Sequence, residues 1–357
     1  MKITQVYYNA FEESIVAVNQ RNENEIVILF RDKIVIKHEL IYHTTEKLFS
    51  LETNMEDPDG GFDWEEPFTI YTWEDIVVVA NDYKAHAAIH NPQKYQHLHL
   101  HRGDYHVKHS KFPIAFFKSE DNIPHLIYGS DWNRVDIMNI EDCHNLTADK
   151  SLIEEDAEEN HLTNSNPEKY GYRIWPREFD YFYADLKVSP DQKHFLSKGW
   201  SWGSSDSYYV FRIEDFIKNK RITYQAVNHW EHESRAACWI TNDELVVCCN
   251  AISEEFDDAD PDNPIEIVIY KLTGEKFEII KRTRVSDLAD TDHEFQYSFA
   301  LQAIVSYPKT NLGLLIFDLD GKTILKENQY KIENFNIENH TFSTFDKHEL
   351  NIFKIEF

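Results

Sequence analysis

Short apolar runs separated by polar turns recur along the whole chain. Within several runs apolar and polar residues alternate, as in Val135-Asp136-Ile137, and this period of two is typical of a β-strand. The runs group into seven units, which span residues 3–39, 75–101, 113–140, 181–213, 234–281, 299–327 and 340–357. The pattern therefore predicts an all-β protein built from short antiparallel strands.

Residues 180–215 show one such unit most clearly. We predict three strands and a Gly/Ser loop within it: strands 181–188, 194–197 and 208–213, and the loop 199–206. Residues 189–192 read Ser-Pro-Asp-Gln and predict a type I turn. The proline presets φ at the second position of the turn, and the side chains of Ser189 and Asp191 can bond to the local backbone.

This combination of a V-S-P-D turn, a short strand, a Gly/Ser loop and a strand that ends in an aromatic residue resembles one blade of the WD-repeat-like bacterial β-propellers. The likeness covers about 35 residues. No Trp-Asp dipeptide ends the last strand of the unit, and no Gly-His pair begins it. The resemblance implies a ring of four-stranded blades around a central channel.

The units recur roughly every 45 to 55 residues, as propeller blades do. The first reads as four strands (3–8, 14–18, 25–31 and 33–39), and the C-terminal unit has too few. The N-terminal strand can therefore complete the last blade, which closes the ring and leaves no long exposed edge. We predict a closed β-propeller with seven blades, with six as the alternative count. A two-domain sandwich is the alternative architecture, but no Pro/Gly/Ser-rich linker marks a boundary.

The prediction for the domain organisation is thus one propeller domain over residues 1–357. Two acidic segments interrupt the regular spacing of its strands. Residues 141–177, approximately, form an insertion between blades, and residues 252–264, approximately, form a loop within one blade.

The charge of the chain limits its partners. It has 36 basic and 63 acidic residues, which gives a net charge of −27. Nucleic acids and anionic membranes are normally bound by a basic face, so neither is an expected partner. No run of 18 apolar residues and no secretory signal occurs, which predicts a cytoplasmic protein whose four cysteines stay reduced. The expected partner is another protein, and a basic one.

The acidic loop is the clearest candidate for contacting such a partner. It carries six carboxylates and one aromatic side chain within nine residues: Glu254, Glu255, Phe256, Asp257, Asp258, Asp260 and Asp262. One interpretation is an acidic finger, anchored by the phenylalanine, that enters a basic groove. The other is a solvated loop with no partner.

Trp200 and Trp202 lie in the segment Gly199-Trp200-Ser201-Trp202-Gly203 and are also predicted to contact a partner, or else to pack over the top of a blade. The segment fits the G-x-S-x-G pattern of a nucleophile elbow. That motif requires a strand followed by a helix. An alternating β segment follows in this chain, so we reject the catalytic interpretation.

His97, His99 and His101 alternate with leucines, which places all three on one face of a strand. Alternating histidines can bind zinc or another transition metal. Neighbouring positions on one face lie about 6.6 Å apart, which suits two ligands of one ion better than three. We therefore predict an exposed strand face and no metal, with these histidines as the alternative metal ligands. No motif for a cofactor occurs, and none is expected.

Together these features favour a non-catalytic protein-binding propeller. An immunity-type inhibitor of a basic protein such as a toxin would use its acidity to accelerate the encounter. The first alternative is an enzyme with histidines, carboxylates or a metal in the channel. The second is a scaffold subunit of a larger complex.

Overall fold

The computed structural model of the chain describes residues 1–51, 61–94, 96–148, 180–201, 205–218, 225–227, 235–251 and 264–357. These residues form seven small antiparallel sheets. The sheets follow one another in a ring, so the protein is an all-β, seven-bladed β-propeller. The predicted fold class and the predicted number of blades are confirmed.

The first three blades follow one another along the chain. Blade 1 contains β2 (Ile15–Gln20), β3 (Glu25–Phe30), β4 (Ile34–Glu39) and β5 (Thr45–Ser50). Blade 2 contains β6 (Phe68–Trp73), β7 (Ile76–Asn81), β8 (His86–Asn91) and β9 (Gln96–His101). A short 3-10 turn (Val107–His109) precedes blade 3, which contains β10 (Ile114–Lys118), β11 (Pro124–Asp131) and β12 (Arg134–Asn139).

The next three blades have four strands each. Blade 4 contains β13 (Leu186–Val188), β14 (His194–Ser201), β15 (Ser205–Arg212) and β16 (Gln225–Ala226), with helix α1 (Ile213–Lys218) between the last two. Blade 5 contains β17 (Ala237–Trp239), β18 (Glu244–Asn250), β19 (Ile265–Thr273) and β20 (Lys276–Arg284). Blade 6 contains β21 (His293–Ser298), β22 (Ala303–Pro308), β23 (Leu314–Asp318) and β24 (Thr323–Glu327). No described helix has the length and apolar character needed to cross a membrane.

Both ends of the chain build blade 7. It contains β25 (Asn334–Asn336), β26 (Thr341–Asp346), β27 (Glu349–Glu356) and, as its outermost strand, β1 (Lys2–Ala10). The register of β1 on β27 runs from Lys2 opposite Glu356 to Ala10 opposite Glu349. This confirms that the N-terminal strand completes the last blade. The grouping of residues 3–8 with the first unit was wrong, because β5 is the fourth strand of blade 1.

The core consists of seven apolar clusters, one between each pair of neighbouring blades. Each sheet therefore buries both of its faces, and its central strands read as continuous apolar runs rather than alternating ones. All six residues of β7 are buried, for example. The innermost strands (β2, β6, β10, β13, β17, β21 and β25) surround the axis of the ring and leave a channel there.

The turn that precedes β14 has the predicted chemistry. The Gln192 N–H donates to the Ser189 carbonyl at 2.8 Å, which closes the turn. The Asp191 carboxylate accepts from the Ser189 hydroxyl at 2.7 Å and from the Lys193 N–H at 3.2 Å. These side chains satisfy backbone groups that the two-strand ladder leaves unpaired, so the local sequence alone specifies this hairpin.

The two predicted acidic segments lie largely outside the described residues. Of the insertion, residues 141–148 are described, and Asn145 makes an isolated β-bridge to Met138 at the edge of blade 3. Residues 149–177 of the insertion and residues 252–263 of the loop are not among those described.

Candidate functional site: the charged central channel

The innermost strands enclose a cavity of about 570 Å³ on the axis of the ring. Blades 1, 2, 4, 6 and 7 and the segment that enters blade 3 contribute its lining residues. Small-molecule sites are typically cavities of roughly 300–1,000 Å³ lined by a few well-placed polar groups. The channel has this size, and its polar groups are therefore the candidate functional residues.

Charged side chains are unexpectedly frequent in this cavity. Among the described residues, four lysines and four carboxylates line it: Lys111, Lys187, Lys198, Lys309, Asp82, Asp185, Glu294 and Glu333. Their formal charges cancel. These eight residues therefore contribute nothing to the net charge of −27.

Four of these residues form what we call the channel ion cluster: Asp185, Lys187, Lys198 and Glu294. Asp185 Oδ2 lies 2.7 Å from Lys198 Nζ and 3.4 Å from Lys187 Nζ. Lys187 Nζ lies 3.2 Å from Glu294 Oε2 and so joins a strand of blade 4 to a strand of blade 6. The cluster thus links two blades that are not neighbours in the ring.

The lysines keep both carboxylates of the cluster ionised. Burial by itself opposes ionisation of Asp185, but the neighbouring Lys187 and Lys198 ammonium groups outweigh it and hold its pKa well below the usual range. Glu294 is also buried, and the same two lysines lower its pKa to about 2. The ammonium of Lys198 is stabilised in return, because Asp185 raises its pKa against the effect of burial.

A second pair, Asp82 and Lys111, lines the same cavity. Asp82 Oδ2 accepts from the Thr69 hydroxyl at 2.8 Å and lies 3.8 Å from Lys111 Nζ. Asp82 Oδ1 is buried and has no hydrogen-bond partner among the described residues. Burial raises the pKa of Asp82, although Lys111 and Thr69 act against it. The Tyr71 hydroxyl, beneath Lys111, is likewise buried without a partner in the described part of the chain.

Trp200 is the one predicted partner-binding residue that the structure describes. It lines the channel, and its indole stacks on Phe182 with ring centroids 3.8 Å apart and planes 4° apart. Its Nε1–H donates to the Ser110 hydroxyl at 2.9 Å. Trp200 is therefore packed, as one of the two interpretations expects, while its contact with a partner stays a prediction. Trp202 lies outside the described residues.

The strand after Ser201 agrees with the rejection of a nucleophile elbow. Ser201 is the last residue of β14 and lies opposite Ser205, the first residue of β15. Among the described residues, β14 is therefore followed by an antiparallel partner strand and not by a helix.

The three alternating histidines lie on β9, the outermost strand of blade 2, and not in the channel. The three share one face of β9, as predicted. Two histidines of β8 contact them. His86 Nδ1 lies 2.8 Å from His99 Nε2, and His90 Nδ1 lies 3.1 Å from His97 Nε2. The His101 ring contacts the His86 ring, with centroids 5.0 Å apart.

His86 thus contacts both His99 and His101, whereas His90 contacts His97. Burial lowers the pKa of His90 and of His97, which favours their neutral forms. Within the described ranges, no three His, Cys, Asp or Glu residues are placed to hold a metal ion.

The carboxylates Glu254, Glu255, Asp257, Asp258, Asp260 and Asp262 and the side chain of Phe256 all lie outside the described residues. Their role in partner binding stays a prediction.

The channel ion cluster has no linear motif, because its members are separated by up to 109 positions and lie in or next to three different strands. A local signal exists nevertheless. Asp185 follows the apolar and aromatic residues 181–184 directly before β13. An unshielded charge at such a position requires an opposite charge from elsewhere in the fold.

Comparison with known proteins does not assign the chain to a family. No protein-family model matches the chain, and a search of curated proteins finds no significant match.

Proposed function

We propose that this propeller is a non-catalytic binding protein that inhibits a basic partner protein, as an immunity protein neutralises a toxin. We further propose that it is WD-repeat-like and acts in the bacterial cytoplasm. The observation that carries the proposal is the distribution of charge. Because the channel charges cancel, the remainder of the molecule carries the full net charge of −27.

A field of this size attracts a basic protein over several ångströms and accelerates its association. Electrostatic steering of this kind increases association rates by about 10- to 1,000-fold at low ionic strength. Exposed carboxylates occur on connections throughout the described ring, for example Glu12, Glu13, Glu120 and Asp121. The acidic loop around residues 254–262 concentrates six more. We propose that this loop and the two tryptophans contact the partner directly.

The test is the binding of the full chain to the product of the neighbouring gene, measured by surface plasmon resonance at about 50 and about 500 mM NaCl. Screening shortens the range of the field to about 4 Å at the higher salt concentration. We expect the association rate constant to fall at least about tenfold between the two conditions. An association rate that does not depend on salt would contradict the proposal.

Two variants with the same change in net charge separate local contact from the overall field. The first replaces Glu254, Glu255, Asp257 and Asp258 by Gln or Asn. The matched control replaces Glu12, Glu13, Glu120 and Asp121 in the same way. If the acidic loop contacts the partner, the loop variant also increases the dissociation rate constant, whereas the control slows association alone. Equal effects of the two variants would remove the loop from the proposed interface.

A further inference from the structure

We propose that the central channel binds a small anionic molecule that also carries hydroxyl groups. Its anionic group lies at Lys198 and Lys111, and one of its hydroxyls bonds to Asp82. This inference does not depend on the protein partner proposed above.

Lys198 provides the first argument. Its side chain is only 4% exposed, and it lines the cavity. An ammonium group has three donors. Within the described part of the chain, the Lys198 ammonium has one ion-pair partner, Asp185 Oδ2 at 2.7 Å, so donors remain for a ligand. Buried donors in native proteins are normally satisfied.

Lys111 provides the second argument and comes from another part of the ring. Its Nζ lies 3.8 Å from Asp82 Oδ2, which is too long for a hydrogen bond. It lies 6.0 Å from the centre of the Tyr71 ring. Lys111 lines the same cavity as Lys198 and Asp82. Two lysines with unused donors suit an anionic oxygen group.

Asp82 provides the third argument and narrows the class of ligand. Its side chain is 10% exposed, and its Oδ1 has no hydrogen-bond partner in the described residues. A ligand hydroxyl can donate to the ionised carboxylate and can accept from the protonated one. The Tyr71 hydroxyl, also without a partner there, adds a further polar contact. Hydroxy acids and sugar acids combine an anionic group with such hydroxyls.

The test compares glucuronate with glucose, which lacks the carboxylate. Thermal unfolding of the full chain is measured with about 20 mM sodium glucuronate or about 20 mM glucose, and NaCl is added so that the ionic strength is the same in both. A ligand that binds only the folded chain raises the unfolding temperature. We expect a rise with glucuronate and none with glucose.

Variants then assign the site. Lys198→Met and Lys111→Met are each expected to weaken glucuronate binding at least about tenfold, as loss of a charge-assisted bond implies. Lys326→Met, which removes a lysine from the outermost strand of blade 6, is expected to bind glucuronate as the unaltered chain does. Asp82→Ala is expected to weaken glucuronate binding but not to weaken the binding of inorganic phosphate, because phosphate uses the lysines alone.

Two results would overturn the proposal. One is the absence of any rise with glucuronate or phosphate relative to chloride at the same ionic strength. The other is an equal rise in the unaltered chain and in both lysine variants. If Lys198→Met does not fold, Lys111→Met decides, because Lys111 makes no hydrogen bond through its ammonium to the described protein.

Discussion

Asp185 and Asp287 each have an oxygen 2.7 Å from a lysine ammonium, but water reaches the two ion pairs very differently. In the channel, the side chains of Asp185 and Lys198 are 10% and 4% exposed. On the outside of blade 6, those of Asp287 and Lys326 are 39% and 42% exposed. A buried charge that loses its partner cannot be solvated by water, and this difference decides what each pair contributes.

We therefore predict that Asp185→Asn lowers the free energy of unfolding by about 3 kcal/mol, since it leaves the buried Lys198 ammonium without its counter-charge. The matched change Asp287→Asn is expected to leave the free energy of unfolding almost unchanged, because exposed pairs contribute little. Urea unfolding of both variants at pH 7 measures the difference. A loss of unfolding free energy for Asp185→Asn as small as that for Asp287→Asn would show that the channel is well solvated.

The pH dependence of the free energy of unfolding at acidic pH gives a second prediction for a single residue, Glu294. The pKa of Glu294 is lowered from 4.5 to about 2 in the folded protein. A carboxylate with a lowered folded pKa stabilises the protein above its unfolded pKa, and this contribution is lost as the pH falls towards the folded pKa. Its contribution is therefore present above about pH 4.5 and is lost between about pH 4.5 and about pH 2.

We predict that Glu294→Gln flattens the pH dependence of the free energy of unfolding in that window, by up to about 1.4 kcal/mol per pH unit. The control Glu120→Gln changes an exposed carboxylate at a turn and should leave the slope as it is. Urea midpoints at several pH values between 2 and 5 provide the slopes. If Glu294→Gln keeps the slope of the unaltered chain, Glu294 does not titrate in this way.

At the scale of elements, β1 has the most consequential position, because it joins the two ends of the chain. It contributes to the cluster between blades 7 and 1 through Tyr7, whose hydroxyl lies 2.6 Å from His38 Nε2 in blade 1. Without β1, one edge of β27 would lose its partner strand. An unpaired strand edge is a template for association with other chains.

We predict that removal of residues 1–10 lowers the unfolding temperature and causes self-association, visible by size-exclusion chromatography. A synthetic peptide with residues 1–12 should restore both properties by adding the missing strand, and a scrambled peptide should not. A truncated chain that remains monomeric and equally stable would mean that blade 7 does not need β1.

The elements also show which parts of the fold the sequence could predict. Blade 5 coincides closely with the predicted unit 234–281, because β18 and the middle of β19 are buried and strongly apolar. Strands β21 and β25 were missed. Both strands face the polar channel. Strand β21 carries the polar residues His293, Glu294 and Gln296, and β25 has only three residues, so neither gives a clear apolar pattern. Strand β21 thus loses the apolar signal for the same reason that it carries Glu294 of the candidate site.

The candidate site itself could not be predicted from a linear pattern. Asp185 precedes β13 and Glu294 lies on β21, and only ring closure brings the two to the same lysine. The sequence shows that a charge lies next to an apolar segment, but it does not show which distant residue of opposite charge pairs with it. Local features such as the turn at residues 189–192 were predictable, because all of their partners lie within five positions.

For the whole molecule, the net charge of −27 is carried by residues other than the described channel residues, whose charges cancel. Like charges on a compact surface repel one another, and unfolding relieves this repulsion by separating them. Monovalent salt screens exposed charges more than buried pairs. Salt should therefore weaken the surface repulsion while leaving the channel ion cluster largely intact.

We predict that the unfolding temperature of the isolated chain rises by about 3 °C between roughly 10 and 300 mM NaCl, and equally with KCl. The variant in which Glu12, Glu13, Glu120 and Asp121 are neutral should start at a higher unfolding temperature and gain less from salt. Differential scanning calorimetry at constant pH measures both. A fall in the unfolding temperature with salt would mean that attractive surface pairs outweigh the repulsion, and the long-range field proposed to steer a basic partner would then lose its physical basis.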